Sequence, residues 1–151
     1  DNRIFSEAEM RSRHEIMLEN YCKVVNIEAL TMVDMARREI IPAVSRYVKS
    51  LAETAVLMKE AVAAADSSVE CELVAKLSAL NSSALAKIKK LEAAVCGART
   101  ISGNAALAMY CKDTVIPAMN ELRIVCDECE TLTAEEFWPL PTYGDMLFGV
   151  R

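Results

Sequence analysis

Histidine is almost missing from this chain: His14 is the only one in 151 residues. His14-Glu15 could open a zinc-protease helix motif, but the second histidine would fall at position 18, which is Leu18. A single histidine also excludes the paired Glu-x-x-His ligands of a di-iron bundle. Glycine is scarce, at four. The short Gly97–Gly103 connection lacks the Gly-Lys-Ser/Thr ending of a phosphate-cradling loop. No apolar run reaches the roughly 18 residues that a bilayer-crossing helix needs. Basic residues number 17 against 22 acids, and Asp127 to Asp145 holds six acids and no base. Affinity for phosphates rests on clustered Lys and Arg, so this balance argues against nucleic-acid and anionic-membrane partners. The start, Asp1-Asn-Arg-Ile-Phe5, has the character of neither a signal nor a transit peptide. No nucleophile has an evident base beside it in the pattern, and metal-ligand spacing is absent.

What is present is an apolar content of 53% with only 5% aromatics. A load of Ala, Val, Leu, Ile and Met suits helix-on-helix packing. The six cysteines, at 22, 71, 96, 111, 126 and 129, fall in helical pattern and mostly on apolar stripes. That is the placing of small buried hydrophobes in a reduced, cytoplasmic protein. Cys126-x-x-Cys129 lies inside a helical pattern, whereas a redox motif of this form follows a strand, and zinc would need a second ligand pair.

The spacing predicts three long helices. The first starts at Ser6, with Ser6 and Glu9 as a capping box and Phe5 and Met10 as its staple. It follows a stripe from Leu18, Cys22, Val25 and Ala29 through Ile40, Ala43 and Tyr47 to Val62, in steps of three or four. The second begins at a capping box of Ser67 and Glu70, runs on Leu73, Leu77, Leu80, Ala84, Ile88, Leu91 and Val95, and ends with Gly97 as its C′ residue. The third runs from about Asn104 to Thr131. The first and third share Ile41-Pro-Ala-Val44 and Ile116-Pro-Ala-Met119. A proline inside a helix costs about 3 kcal/mol and kinks it. The expected fold is therefore all-α: an elongated antiparallel bundle of three long helices, with helices 1 and 3 kinked at Pro42 and Pro117.

The chain closes differently. Residues 137–148 hold the only Trp, two of the four Pro and half of the eight aromatics. A third capping box, Thr133 with Glu136, is expected to begin a short turn stapled by Leu132 and Phe137. Trp138-Pro-Leu-Pro141 reads as extended, because residues before proline avoid helix. Thr142, with Asp145 three on, can start a short terminal helix. A stiff apolar tail of this kind is suited to docking, with Trp138, Pro139, Pro141, Tyr143 and Phe148 as its anchors.

Length adds a second surface. A helix of about 60 residues spans about 90 Å, whereas a second helix half as long can cover only half of it. Residues 1–35 are expected to overhang, 36–132 to form the bundle core and 133–151 the docking tail. Met17, Tyr21 and Val25 lie on the overhanging apolar face, and an exposed stripe of that size marks an interface.

Three stretches, in this order, resemble the carboxyl-terminal region of type III glutamine synthetases. They are SRHEIMLENY at 12–21 running into NIEALTM at 26–32, then IIPA at 40–43, then WPLPTY at 138–143 with MLF at 146–148. The resemblance covers the whole chain. It implies a parent ligase of nitrogen metabolism that joins ammonia to glutamate with ATP and magnesium or manganese, in a large cytoplasmic homo-oligomer. Catalytic, cofactor and metal residues would lie in an upstream catalytic domain, and none is carried over to this chain. The chain would then be a single helical domain excised from a larger polypeptide, and the overhang would lead back into the enzyme. The alternative is a stand-alone helical-bundle module for protein interaction that uses the face near Met17 and Tyr21.

Overall fold

The computed structural model describes residues 5–141 and 143–149, the side chains of Tyr143 and Gly144 aside. Among the described residues every regular element is helical. Two α-helices, α1 (Glu7–Met35) and α2 (Ile41–Ala61), are joined without a break by a π turn at Ala36–Ile40. After a turn come α3 (Ser68–Ala98) and then α4 (Asn104–Tyr110), which passes through a second π turn at Cys111–Val115 into α5 (Ile116–Leu132). A 3-10 turn at Glu135–Phe137 precedes the short α6 (Tyr143–Phe148).

Local chemistry explains the starts. Ser6 and Glu9 form the expected capping box: the Glu9 N–H donates to Ser6 Oγ at 3.3 Å, and the Ser6 N–H donates to Glu9 Oε2 at 2.7 Å. The Ser6 N–H and the Ser6 hydroxyl, both donating to the Glu9 carboxylate, lower its pKa. Phe5 is covered by the Arg13 guanidinium, 4.2 Å from its ring centroid, and both Phe5 and Met10 stay exposed. Gly103, at φ 90°, occupies the left-handed region ahead of α4, where a side chain would be strained.

Both π turns end at Ile-Pro. The Ile41 N–H reaches back five residues to the Ala36 carbonyl, and the Ile116 N–H to that of Cys111. Proline offers no N–H and its ring presses on the carbonyl four residues back; a widened turn at that point takes up the misfit. Asn81 on α3 adds a tie at this level, donating to the Ile41 carbonyl at 3.3 Å and to Ser45 Oγ at 3.1 Å.

Helix α3 is packed on both other runs. Its Leu77, Ala84, Ile88 and Leu91 are essentially sealed from solvent. One core gathers Val25, Ala29, Leu91, Val95, Val115 and Leu122; a second gathers Ile40, Val44, Leu77 and Cys129. Polar ties frame these cores. Arg37 grips Glu92 with two bonds of 2.8 Å, and Lys87 and Lys90 converge on Glu121 at 2.8 and 2.6 Å. Of the stripe expected along the first helical run, only Val62 proves exposed.

Three local expectations are corrected. Ser67 does not cap α3 with its side chain; it is buried beside Cys71, and Asp66 Oδ1 accepts from the Ser68 N–H at 3.0 Å instead. Thr133 ends α5 rather than starting a helix: its hydroxyl turns back to the Cys129 carbonyl at 2.7 Å, so no capping box forms with Glu136. Gly97 lies within α3, and close approach is its reason. A Cβ there would sit 2.4 Å from the hydroxyl of Tyr110, which donates to the Ala94 carbonyl at 3.2 Å.

Two predictions follow from this packing. Gly97→Ala is expected to destabilise the chain by about 1–3 kcal/mol through overpacking, whereas in a Tyr110→Phe background the same change should be neutral or stabilising, because the helix gains propensity and the clashing oxygen is gone. A denaturant double-mutant cycle reads the coupling. Second, the two lysines hold the Glu121 pKa down at about 2, against an ordinary 4.5. A depressed folded-state value stabilises above the unfolded pKa, and that contribution disappears as pH falls from about 4.5 to about 2. Glu121→Gln should flatten the acid limb of stability over that window and leave the neutral-to-alkaline profile parallel to the original.

Candidate docking surface

Over residues 16–33, helix α1 carries apolar side chains both on its buried side and among the polar groups of its exposed side. Cys22, Val25, Ala29 and Val33 point into the first core, while Ile16, Met17, Val24, Ile27 and Leu30 lie on the outside, between 43% and 71% exposed. Over residues 16–33 the charged groups are Glu19, Lys23 and Glu28, and the first two pair with each other. One side is buried by this chain, while the other exposes five large apolar side chains among Asn20, Lys23, Asn26 and Thr31; apolar side chains exposed together make this side a candidate interaction surface.

The expected surface residues divide. Met17 is open and Tyr21 is on the border of exposure. The Tyr21 pKa is raised, first by partial burial and then by the charges of Cys111, Cys22 and Asp113. Val25, expected on the outer stripe, faces inward and is 4% exposed. The overhang is also shorter than residue 35. Counting only α3 as a cover overlooks α4 and the turn after it, which pack beside α1 and bury it from Cys22 onward. Residues 5–17 are exposed throughout. Ile16, Ile27 and Leu30 escape a reading built on one stripe; their signal is that they are apolar and fall off it.

The tail is split in the same way. Trp138 and Leu140 pack against the second core, and the Phe137 ring meets Tyr47 at 5.2 Å with the planes tilted by 43°. The indole N–H of Trp138 is buried without a hydrogen-bond partner among the described residues, so the ring is held by apolar contact alone. Pro139 and Pro141 are exposed, as are Met146, Leu147 and Phe148 on α6. Thr142 and the Tyr143 side chain lie outside the described residues.

Burial, followed by the effect of neighbouring Cys129, pushes the Cys126 thiol up to about 11. Cys129 is likewise pushed up to about 11 by burial. A fast-reacting thiol needs the opposite shift. Among the described residues, no three His, Cys, Asp or Glu side chains are grouped to hold a metal ion, and no helix is long and apolar enough to cross a membrane.

The tail packing yields a prediction. Trp138→Ala should cost about 3 kcal/mol, the low end for a large aromatic removed from a core, because the ring is only half-buried. Trp138→Phe should cost under about 1.5 kcal/mol, since the indole N–H makes no bond that would be lost. Urea unfolding of the two variants separates packing from hydrogen bonding.

Comparison with known proteins gives a consistent picture. Residues 1–59, covering α1, the first π turn and most of α2, match the family model for the glutamine synthetase C-terminal domain. A glutamine synthetase of Butyrivibrio fibrisolvens is 34% identical over 148 residues, 98% of this chain. A type-3 glutamine synthetase of Dictyostelium discoideum is 30% identical over 98% of the chain, and a glutamine synthetase of Bacteroides fragilis (strain YCH46) 31% identical over 97%. The chain spans about a fifth (21%) of the length of each of these relatives. It belongs to the glutamine synthetase family, as a counterpart of that family's C-terminal domain.

Proposed function

We propose that this chain is the non-catalytic brace of a glutamine synthetase, a cytoplasmic homo-oligomer that ligates ammonia to glutamate with ATP and a divalent magnesium or manganese ion. One observation carries the reading: the segment that matches the family model includes the helix whose outer face leaves Ile16, Met17, Val24, Ile27 and Leu30 uncovered. In this account Ile16, Met17, Tyr21 and Ile27 rest on the catalytic domain of the same polypeptide, and the tail around Trp138, Pro139, Pro141, Tyr143 and Phe148 docks as a second anchor. Val25 supports that face from inside. The nucleotide and metal would be held by residues outside this chain, and no step of the ligation is assigned to it.

The brace takes the form of an elongated antiparallel bundle of three rods, bent at Pro42 and Pro117. The order of the polar ties supports this: Arg37 meets Glu92 while Ser45 meets Asn81, and Lys90 meets Glu121 while Lys76 meets Glu128. The widened turns at both Ile-Pro steps support the bends. A rod of this kind carries load along its axis.

The test is Ile27→Asp in the complete enzyme. Ile27 is exposed in this chain, so the isolated 151-residue chain should keep its unfolding midpoint. In the assembled enzyme a buried, unpaired carboxylate should weaken assembly about tenfold or more, read by light scattering, while the KM for glutamate stays within about twofold. A changed KM with assembly intact, or no change in either, contradicts the proposal.

A further inference from the structure

A cleft of about 300 Å³ opens where α1 meets the end of α3 and the start of α4, and its wall includes Cys22, Lys23, Arg99 and Cys111. The two cysteines come from different helical runs. Both are buried, at 6% and 3% exposure, and both belong to the first core. Their meeting follows from register. Asn104 on α4 donates to Glu15 on α1 at 3.0 Å, a pair 89 residues apart. Cys22 and Cys111 are also 89 residues apart, two helical turns farther along each run. Seven residues return a helix nearly to the same face, so the facing that brings Glu15 to Asn104 brings Cys22 to Cys111. The thiols sense each other: the Cys111 pKa is raised, first by burial and then by the charge and hydrogen bonding of Cys22. Neither thiol is joined to another cysteine.

We propose that Cys22 and Cys111 are an oxidation site, closing a reversible disulfide across the seam between α1 and the second π turn when a peroxide enters the cleft. Cys22, the more exposed of the pair, attacks the O–O bond of hydrogen peroxide as its thiolate, giving a sulfenic acid and hydroxide; burial of Cys111, which raises its pKa, makes it the slower, resolving thiol. The second thiolate displaces hydroxide from that sulfur, forming the S–S bond. Two thiols and one hydrogen peroxide yield one disulfide and two waters. The oxidised form ties α1 at the point where its exposed amino-terminal stretch begins, so it stiffens the base of that stretch. This inference stands on the packing of the chain and not on the ligase reading.

The experiment exposes the full 151-residue chain to a small excess of hydrogen peroxide at neutral pH, blocks free thiols and maps peptides without reduction. The expected product joins the Cys22 and Cys111 peptides with the loss of two hydrogens. It should form while Cys126 and Cys129 stay free, persist in a Cys71→Ser, Cys96→Ser variant that lacks the two exposed thiols, and revert with dithiothreitol. The oxidised chain should melt roughly 5–15 °C higher than the reduced one, as a link closing a loop of that length predicts. Recovery of Cys22 and Cys111 as blocked thiols, or as separate sulfinic acids, under conditions that oxidise Cys71 and Cys96 would overturn the proposal. So would a link present only between chains.

Discussion

The structure depends on one helix being buried from two sides. Leu77, Ala84, Ile88, Leu91, Ala94 and Val95 of α3 serve as the common face on which the runs on either side pack. Few aromatics are available for this core, so density comes from close approach of helices through small residues. Ala29, Ala43, Ala84 and Ala118 are all at or near zero exposure, and Gly97 leaves room for the Tyr110 hydroxyl. The π turns belong to the same economy of fit. Each accommodates a proline while keeping the run continuous, so that Ala36 and Ile40 before one proline, and Cys111 and Val115 before the other, still reach the core.

That constraint explains what could be read from the residues and what could not. The all-helical character, the buried stripes and the Ser6–Glu9 cap follow from spacing and from contacts within four residues. So does the disturbance at each Ile-Pro step. The errors arose where burial, or a partner distant in the chain, chooses between local options. Ser67 and Thr133 carry the chemistry of helix caps, but burial directs one toward Cys71 and the Cys129 carbonyl engages the other. Gly97 resembles a helix terminator until Tyr110 is brought against it. Val25 and the span from Cys22 to Val33 could be assigned to a free overhang only while the cover supplied by α4 was unknown.

The candidate surface was half legible for the same reason. Met17 and Tyr21 follow from periodicity, as does Trp138 from composition. Ile16, Ile27 and Leu30 become informative only once the buried side of α1 is fixed, because an apolar residue has meaning as a surface signal only relative to what is already covered. A face of this kind, on a chain a fifth as long as its glutamine synthetase relatives, is what the proposed bracing role rests on.

The most direct measurement is amide hydrogen exchange along α1, comparing the isolated 151-residue chain with the native polypeptide purified from its source. Packing against a larger body predicts that residues 7–21 exchange rapidly in the isolated chain and become strongly protected in the native polypeptide, while α3 is protected in both. Equal exchange over residues 7–21 in the two samples would contradict the account and leave α1 with a solvent-facing apolar side.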